Sequence, residues 1–392
     1  MQLMGSSQVS RGLIFGACAG VLALAACFRA SPPVHFFAEG RPSKLSDWHV
    51  VSSERDNLVL NEGVIPYDLN TPLFSDYAHK LRTIWMPRGT SATYSADGNF
   101  DFPVGTIISK TFYYPLPKRA AHDSKAVART YDQSDEFSDH RNGKRDLDLA
   151  KVHLIETRLL VRREGGWQAF PYVWDAAQSE AVLARTGDAK PLELVADDGA
   201  REPFTYVVPN ENQCAGCHVA DLKTKQIAPI GTKARHLNRD YEYAAGSENQ
   251  LLHWTKLGLL TGISNAAGAP KNADWRNAAQ PLDQRARAYL DVNCGHCHNA
   301  KGPANTTALD LTIFAAADRY LGVCKPPVAA GRGTGDHYFD IVPGKPQDSI
   351  LPYRLLSNEP GVMMPEQGRT TTHREGVELI DNWIVSLHGT CE

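Results

Sequence analysis

The chain has 392 residues, with 41 Lys and Arg against 44 Asp and Glu and a formal charge of −3. Charges of both signs are interspersed, so there is no electrostatic footprint for nucleic acid and no strongly basic membrane face. The length exceeds what one hydrophobic core usually supports, and two or more domains are expected.

Arg11 precedes an apolar run from Gly12 to Ala26, too short to span a bilayer as a stable helix, which reads as an export signal. The run ends in Leu24-Ala25-Ala26-Cys27. That tetrapeptide resembles the bacterial lipoprotein cleavage box, which implies a signal peptide over 1–26, a lipidated Cys27 and a periplasmic chain anchored to a membrane through lipid. A simple secretory peptide with an incidental Cys is the other reading. Residues 27–46, with Ser31-Pro32-Pro33, read as a tether.

Residues 47–208 are expected to form an antiparallel β-rich domain. Strands are predicted up to Met86, within Phe102–Tyr114 and over Phe204–Val208, and the clearest hairpin is His153–Val161, a turn at Glu164-Gly165-Gly166, then Trp167–Trp174. Alternation places Leu154, Glu156, Arg158 and Leu160 on a mixed face and Ile155, Thr157, Leu159 and Val161 on an apolar one, a half-buried sheet. The polar stretch from Pro117 to Lys151 reads as a long surface loop, and 176–186 as a short helix.

Two C-x-x-C-H motifs follow, Cys214-Ala-Gly-Cys217-His218 and Cys294-Gly-His-Cys297-His298. Two thiols three residues apart each add to one vinyl group of a haem, and the adjacent His reaches the iron from the same face. Two covalently attached haem c groups are therefore expected, with His218 and His298 on iron. Residues 209–270 form the first haem-binding segment, with a helix predicted around 248–260; it has too few apolar residues to bury a haem alone. In 271–392, Leu282, Ala286, Tyr289 and Leu290 predict a helix running into Cys294; Val377, Ile380, Ile384 and Leu387 predict another, ended by Gly389, and a short one is expected near 348–356. Cys324 and Cys391 are expected to pair in an oxidising compartment, the alternative being buried thiols.

The last third of the chain resembles a class I c-type cytochrome domain, in which the helix before C-x-x-C-H packs on the C-terminal helix. That resemblance implies an axial Met in the loop before the last helix, at Met364 of Met363-Met364-Pro365, with Met363 as second choice. For the first haem the second ligand stays open among His236, His253, His79, Met86 and no ligand at all. With Tyr67–Tyr77 and Phe102-Pro-Val-Gly-Thr106, the whole chain resembles a group of exported bacterial dihaem c-type cytochromes. This implies an α+β multidomain fold, a β-rich N-terminal domain followed by mainly α-helical cytochrome c-like haem domains. Electron transfer between redox partner proteins, a dehydrogenase or quinol-side donor and a downstream acceptor, is the expected function. A weaker resemblance, through Phe102–Lys110, is to small haem enzymes that oxidise hydroxylamine through a Lys-crosslinked haem. The alternative it raises is an oxidoreductase with an open first haem, the second haem exporting electrons; Lys110 reads equally as a solvated strand residue.

Overall fold

The computed structural model describes residues 32–54, 56–118, 123–130, 146–328 and 331–392. The export segment, Cys27 and part of the stretch between Pro117 and Lys151 lie outside the described residues. Alternating and β-branched runs before residue 209 form β1 (Val51–Glu54), β2 (Asn57–Leu60), β3 (Ile65–Tyr67), β4 (His79–Trp85), β5 (Ala92–Thr93), β6 (Ile107–Pro115), β7 (Ala126–Ala128), β8 (Asp146–Asp148), β9 (Val152–Arg163), β10 (Gly166–Trp174), β11 (Ala181–Leu183), β12 (Asp188–Val195) and β13 (Arg201–Val208). The rest of the chain supplies α1 (Glu211–His218), β14 (Val219–Asp221), β15 (Gln226–Ile227), α2 (Ala234–Leu237), β16 (Asp240–Tyr243), β17 (Gly246–Asn249), α3 (Gln250–Lys256), β18 (Leu260–Thr261), α4 (Leu282–Asn293), α5 (Ile350–Leu356) and α6 (Arg374–Ser386).

A six-stranded antiparallel sheet in the order β11-β10-β9-β6-β4-β3 is the frame. Its first face is apolar: Leu81, Ile107, Leu159, Val161, Phe170 and Tyr172 pack with Trp48 and Leu58. A bulge breaks the alternation in β9, where Leu154 pairs with Tyr113 and Glu156 with Phe112, leaving Ile155 without an opposite residue. The extra residue reverses the side-chain phase locally. Leu154 therefore joins the apolar face while Ile155 packs with Phe112 and Tyr206 on the other, the reverse of simple alternation.

The mixed face is covered rather than solvated. At one end Ile84 and Ile108 pack with Leu251 and Trp254 of α3; at the other lie Phe112, Ile155 and Tyr206; one rung of the ladder between them carries Arg82, Lys110 and Arg158. The helix expected at 176–186 is instead a turn and a strand. Asp175 accepts from Ser179 N at 2.9 Å and Ser179 Oγ at 2.7 Å, which folds the chain back so that β11 pairs with β10. The helix expected over 248–260 is cut to α3, because Gly258 takes φ +72° and Leu260–Thr261 pairs in parallel with β5.

The expected fold class is corrected by these elements. The described residues form six sheets and six helices, and only α4 and α6 exceed eight residues. The described residues are mainly β, without mainly α-helical cytochrome domains. α4 and α6 do pack together around Leu290, Ile380, Trp383 and Ile384. Between α4 and α5, however, Pro326, Pro327, Gly331, Gly333 and Gly335 leave irregular backbone with short 3-10 turns. The C-terminal elements are bound into the same unit as the sheet, which spans Pro33–Glu392. Asp76 accepts from Thr370 N, Thr371 N and Thr371 Oγ1 at 2.7, 2.7 and 2.9 Å, and Tyr77 donates to Glu375 at 2.7 Å. No helix among the described residues is long and apolar enough to cross a membrane.

Candidate functional site

α1 begins with a reciprocal cap: Asn210 accepts from Gln213 N, and the Gln213 side chain accepts from Asn210 N, both at 2.9 Å. The helix this fixes is two turns long, so Cys214 and Cys217, three residues apart, share a face, and His218 closes it. α1 packs on β10 and β15. The β14–β15 hairpin returns Ala228 to His218, whose Nδ1 stands 2.9 Å from the Ala228 carbonyl oxygen. An imidazole bonded to a carbonyl carries its proton on Nδ1 and leaves Nε2 as a lone-pair donor.

The second motif turns away from the end of α4. Cys294 N and Gly295 N both donate to Leu290 O, and His298 N donates to Cys294 O at 2.9 Å. His298 Nδ1 lies 3.1 Å from Thr307 Oγ1, and the Thr307 hydroxyl donates its own proton to Ala304 O at 2.7 Å. Thr307 is thus left as an acceptor, and His298 also keeps Nε2 free. Gly295 and Gly302 are required here by contact: a Cβ on Gly302 would stand 2.2 Å from Cys297 O, and one on Gly295 2.8 Å from Asp291 O.

The two motifs, far apart in sequence, touch. Cys297 Sγ lies 3.8 Å from Gly216 O, Leu222 N donates to Lys301 O at 2.8 Å, and a Cβ on Gly216 would meet the Gln367 side chain at 2.9 Å. Cys214, Cys217, Cys294 and Cys297 are free thiols, while Cys324 and Cys391 form a disulfide with Cα atoms 5.1 Å apart. Burial pushes the Cys294 and Cys297 thiols up to about 12 and raises Cys214 and Cys217. It also lowers His218 to about 3 and His298 to about 4, so both imidazoles are neutral, the form that ligates a metal.

Met364 sits before α6 in a loop held by Arg369, which donates to Met364 O from Nε at 3.1 Å and Nη2 at 2.8 Å. It lines a small cavity with Phe74, Tyr289, Leu355, Arg369 and His373; Met363 is buried. Met86 is core, packed with Phe100, Phe102 and Trp254. His79 Nε2 meets Thr130 Oγ1 at 2.6 Å, His236 Nε2 is 3.5 Å from Asp291, and His253 stacks on Tyr243 and meets Glu248 at 2.9 Å. The groups whose charge acts on His218 are Lys110, His296 and Arg158.

Lys110 is therefore not the solvated strand residue that alternation allows. It lies across the ladder from Arg82 and Arg158 and over the Phe112 ring at 5.3 Å, and burial together with Arg158 and Arg82 lowers it to about 7. Glu156, fully buried, takes Arg158 Nε at 2.8 Å and Nη2 at 2.5 Å and the Tyr206 hydroxyl at 2.7 Å. This charged floor escapes a reading by motif because its members come from three strands. Its one sequence signal is a run of charges inside otherwise apolar β segments.

Comparison with protein-family models, with curated proteins and with solved structures gives no match. The expected membership of an exported dihaem cytochrome family with a C-terminal class I domain is corrected accordingly. The body is β-rich, and among the described residues no group of three or more His, Cys, Asp or Glu converges as a metal site. A covalent haem needs something else: two unbridged thiols at i and i+3 and one imidazole with Nε2 available. Each motif by itself presents those groups.

Proposed function

We propose that this chain carries two covalent haems, one on Cys214, Cys217 and His218 and one on Cys294, Cys297 and His298, and passes electrons between redox partner proteins outside the cytoplasmic membrane. The observation that carries the reading is the matched treatment of the two His residues. Each gives Nδ1 to a protein oxygen, Ala228 O or Thr307 Oγ1, and holds Nε2 in reserve beside a pair of unbridged thiols. The haem would supply the one-electron chemistry, and the protein sets its potential through ligands, burial and neighbouring charge. Met364 is the proposed second ligand of the second haem. The export signal and a lipidated Cys27 would hold the protein at a bacterial membrane, where a dehydrogenase or quinol-side donor and a downstream acceptor would meet it.

Contact between the motifs supports a two-haem chain in which electrons cross inside the protein. With Cys297 Sγ 3.8 Å from Gly216 O, the attachment sites share one wall. The test is the full chain produced with haem-attachment machinery: mass spectrometry should find two haems, one lost in Cys214→Ser/Cys217→Ser and the other in Cys294→Ser/Cys297→Ser. A colourless protein of unmodified mass overturns the reading.

A further inference from the structure

The rung Arg82–Lys110–Arg158 places three cations side by side, and Lys80 follows on the next rung opposite Phe112. Like charges directly across a sheet repel. Their counter-charges are few: Asp68 binds Arg82 at 2.6 Å but is shared with Arg239 at 3.0 Å, and Glu156 is taken by Arg158 and Tyr206. Lys110 has neither an ion pair nor a hydrogen bond from Nζ among the described residues, and Arg82 Nη2 is buried with no acceptor. Arg82 is 4% exposed, so this orphan donor is held in the interior. An unpaired guanidinium donor in such a place destabilises the fold unless something accepts from it.

The same rung lies under the first C-x-x-C-H motif. α1 packs on β10, the neighbour of β9, and the positive charges of Lys110 and Arg158 act on Cys217 and His218. Arg158 keeps 23% of its side-chain surface uncovered, and Lys110 is likewise only partly covered, so neither residue is sealed from outside. Lys80, Lys110 and Arg158 surround the Phe112 ring at 5.7, 5.3 and 4.3 Å, which gives the floor one apolar patch.

We propose that Arg82, Lys110 and Arg158 form a carboxylate-binding site beside the first motif. A carboxylate would take the unused Arg82 Nη2 donor and the Lys110 ammonium together, and would relieve the repulsion along the rung. The carboxylate has two sources, a propionate of the first haem or a small free monocarboxylate. The proposal rests on the haem reading only for the first source.

The full chain as purified is titrated with sodium acetate at low ionic strength by calorimetry, and its potentials are measured in parallel, for wild type, Lys110→Met and Lys110→Arg. Saturable acetate binding that weakens at least tenfold in Lys110→Met and recovers in Lys110→Arg supports the free carboxylate. No acetate binding, with one haem's potential lowered in Lys110→Met and restored in Lys110→Arg, supports the propionate. If acetate does not bind and neither potential moves, the site is overturned while the haems stand. If the protein carries no haem, the haem reading fails and the acetate titration alone decides: binding sensitive to Lys110→Met supports the rung, and its absence overturns it.

Discussion

Cys297 Sγ and the Gly216 carbonyl oxygen lie 3.8 Å apart, so the second thiol of one motif rests on the glycine inside the other. The contact depends on small residues on both sides. At Gly302 an added Cβ would stand 2.2 Å from Cys297 O and 2.8 Å from Cys297 C, backbone atoms with no room to yield. At Gly216 the obstacle is the end of the flexible Gln367 side chain, at 2.9 Å. Gly302→Ala should therefore destabilise the protein by about 1–3 kcal/mol and reduce haem attachment at the second motif, and Gly216→Ala should cost much less. Urea midpoints and haem content per chain test the pair; equal behaviour of the two variants would remove the steric argument.

Asp76 is the tie between the sheet and the segment that carries Met364. It accepts four hydrogen bonds from Thr370 and Thr371, the longest from Thr370 Oγ1 at 3.4 Å, and sits at φ +50°, a conformation Asn tolerates and Ala resists. Removing the carboxylate leaves buried N–H groups without acceptors. Asp76→Ala should lower stability by about 2–4 kcal/mol and Asp76→Asn by roughly half of that, since the amide oxygen still accepts. Chemical denaturation of the three proteins gives the ranking, and an Ala variant as stable as wild type would show that the tie is unimportant.

Much of this frame is legible in the residues themselves. The hairpin of β9 and β10 follows from alternation and the Gly165-Gly166 turn, and α4 and α6 follow from apolar spacing, because each is decided within about a dozen residues. The bulge at Ile155 is not legible, since it is set by the partner strand β6. Nor is the strand at Ala181–Leu183, where an Asp175–Ser179 turn overrides helix propensity. Both motifs announce themselves, but their mutual contact, and the floor of Arg82, Lys110 and Arg158 under the first, depend on chain segments far apart. In the C-terminal third α4, α5 and α6 all follow from local apolar spacing, while the long Pro- and Gly-containing connection between α4 and α5 carries only short 3-10 turns, so no mainly helical domain forms there.

His236 gives the fold a dependence on acid. It is 1% exposed, and burial lowers it to about 4 although Asp291 stands 3.5 Å from Nε2; Lys233 and Arg235 oppose its protonation further. In the unfolded chain a His titrates near 6.5. Between that value and about 4 the unfolded state binds the proton and the folded state refuses it, so stability is present above pH 6.5 and falls as the pH drops. At pH 5 the loss from this one group is at most about 2 kcal/mol. Denaturation curves at pH 7 and pH 5 should differ more for wild type than for His236→Gln, and an unchanged difference would assign the acid sensitivity to other groups.

Anchoring through Cys27 makes a simple expectation for fractionation. One thioether-linked lipid with a further acyl chain holds a protein on a membrane through salt washes, because the attachment is apolar and salt screens only charge. Wild type should stay with membranes at high salt and Cys27→Ser should appear in the soluble periplasmic fraction. Membrane retention of the Ser variant at high salt would count against lipidation.

Thr307 offers a test confined to one motif. Its hydroxyl proton is committed to Ala304 O at 2.7 Å, so its lone pair faces His298 Nδ1 at 3.1 Å and receives that N–H. A bonded Nδ1–H makes the opposite nitrogen a stronger donor to iron, which favours the ferric state. Thr307→Val keeps the shape and removes the acceptor. In the proposed two-haem protein the variant should raise the potential of the second haem and leave the first unchanged, with His298 held less firmly, seen as a shift or broadening of the second haem's visible and magnetic spectra. The opposite assignment is checked at Ala228, whose acceptor is a backbone carbonyl 2.9 Å from His218 and survives side-chain substitution. Potentials that move together in Thr307→Val, or not at all, would mean that Thr307 does not set the donor strength of His298.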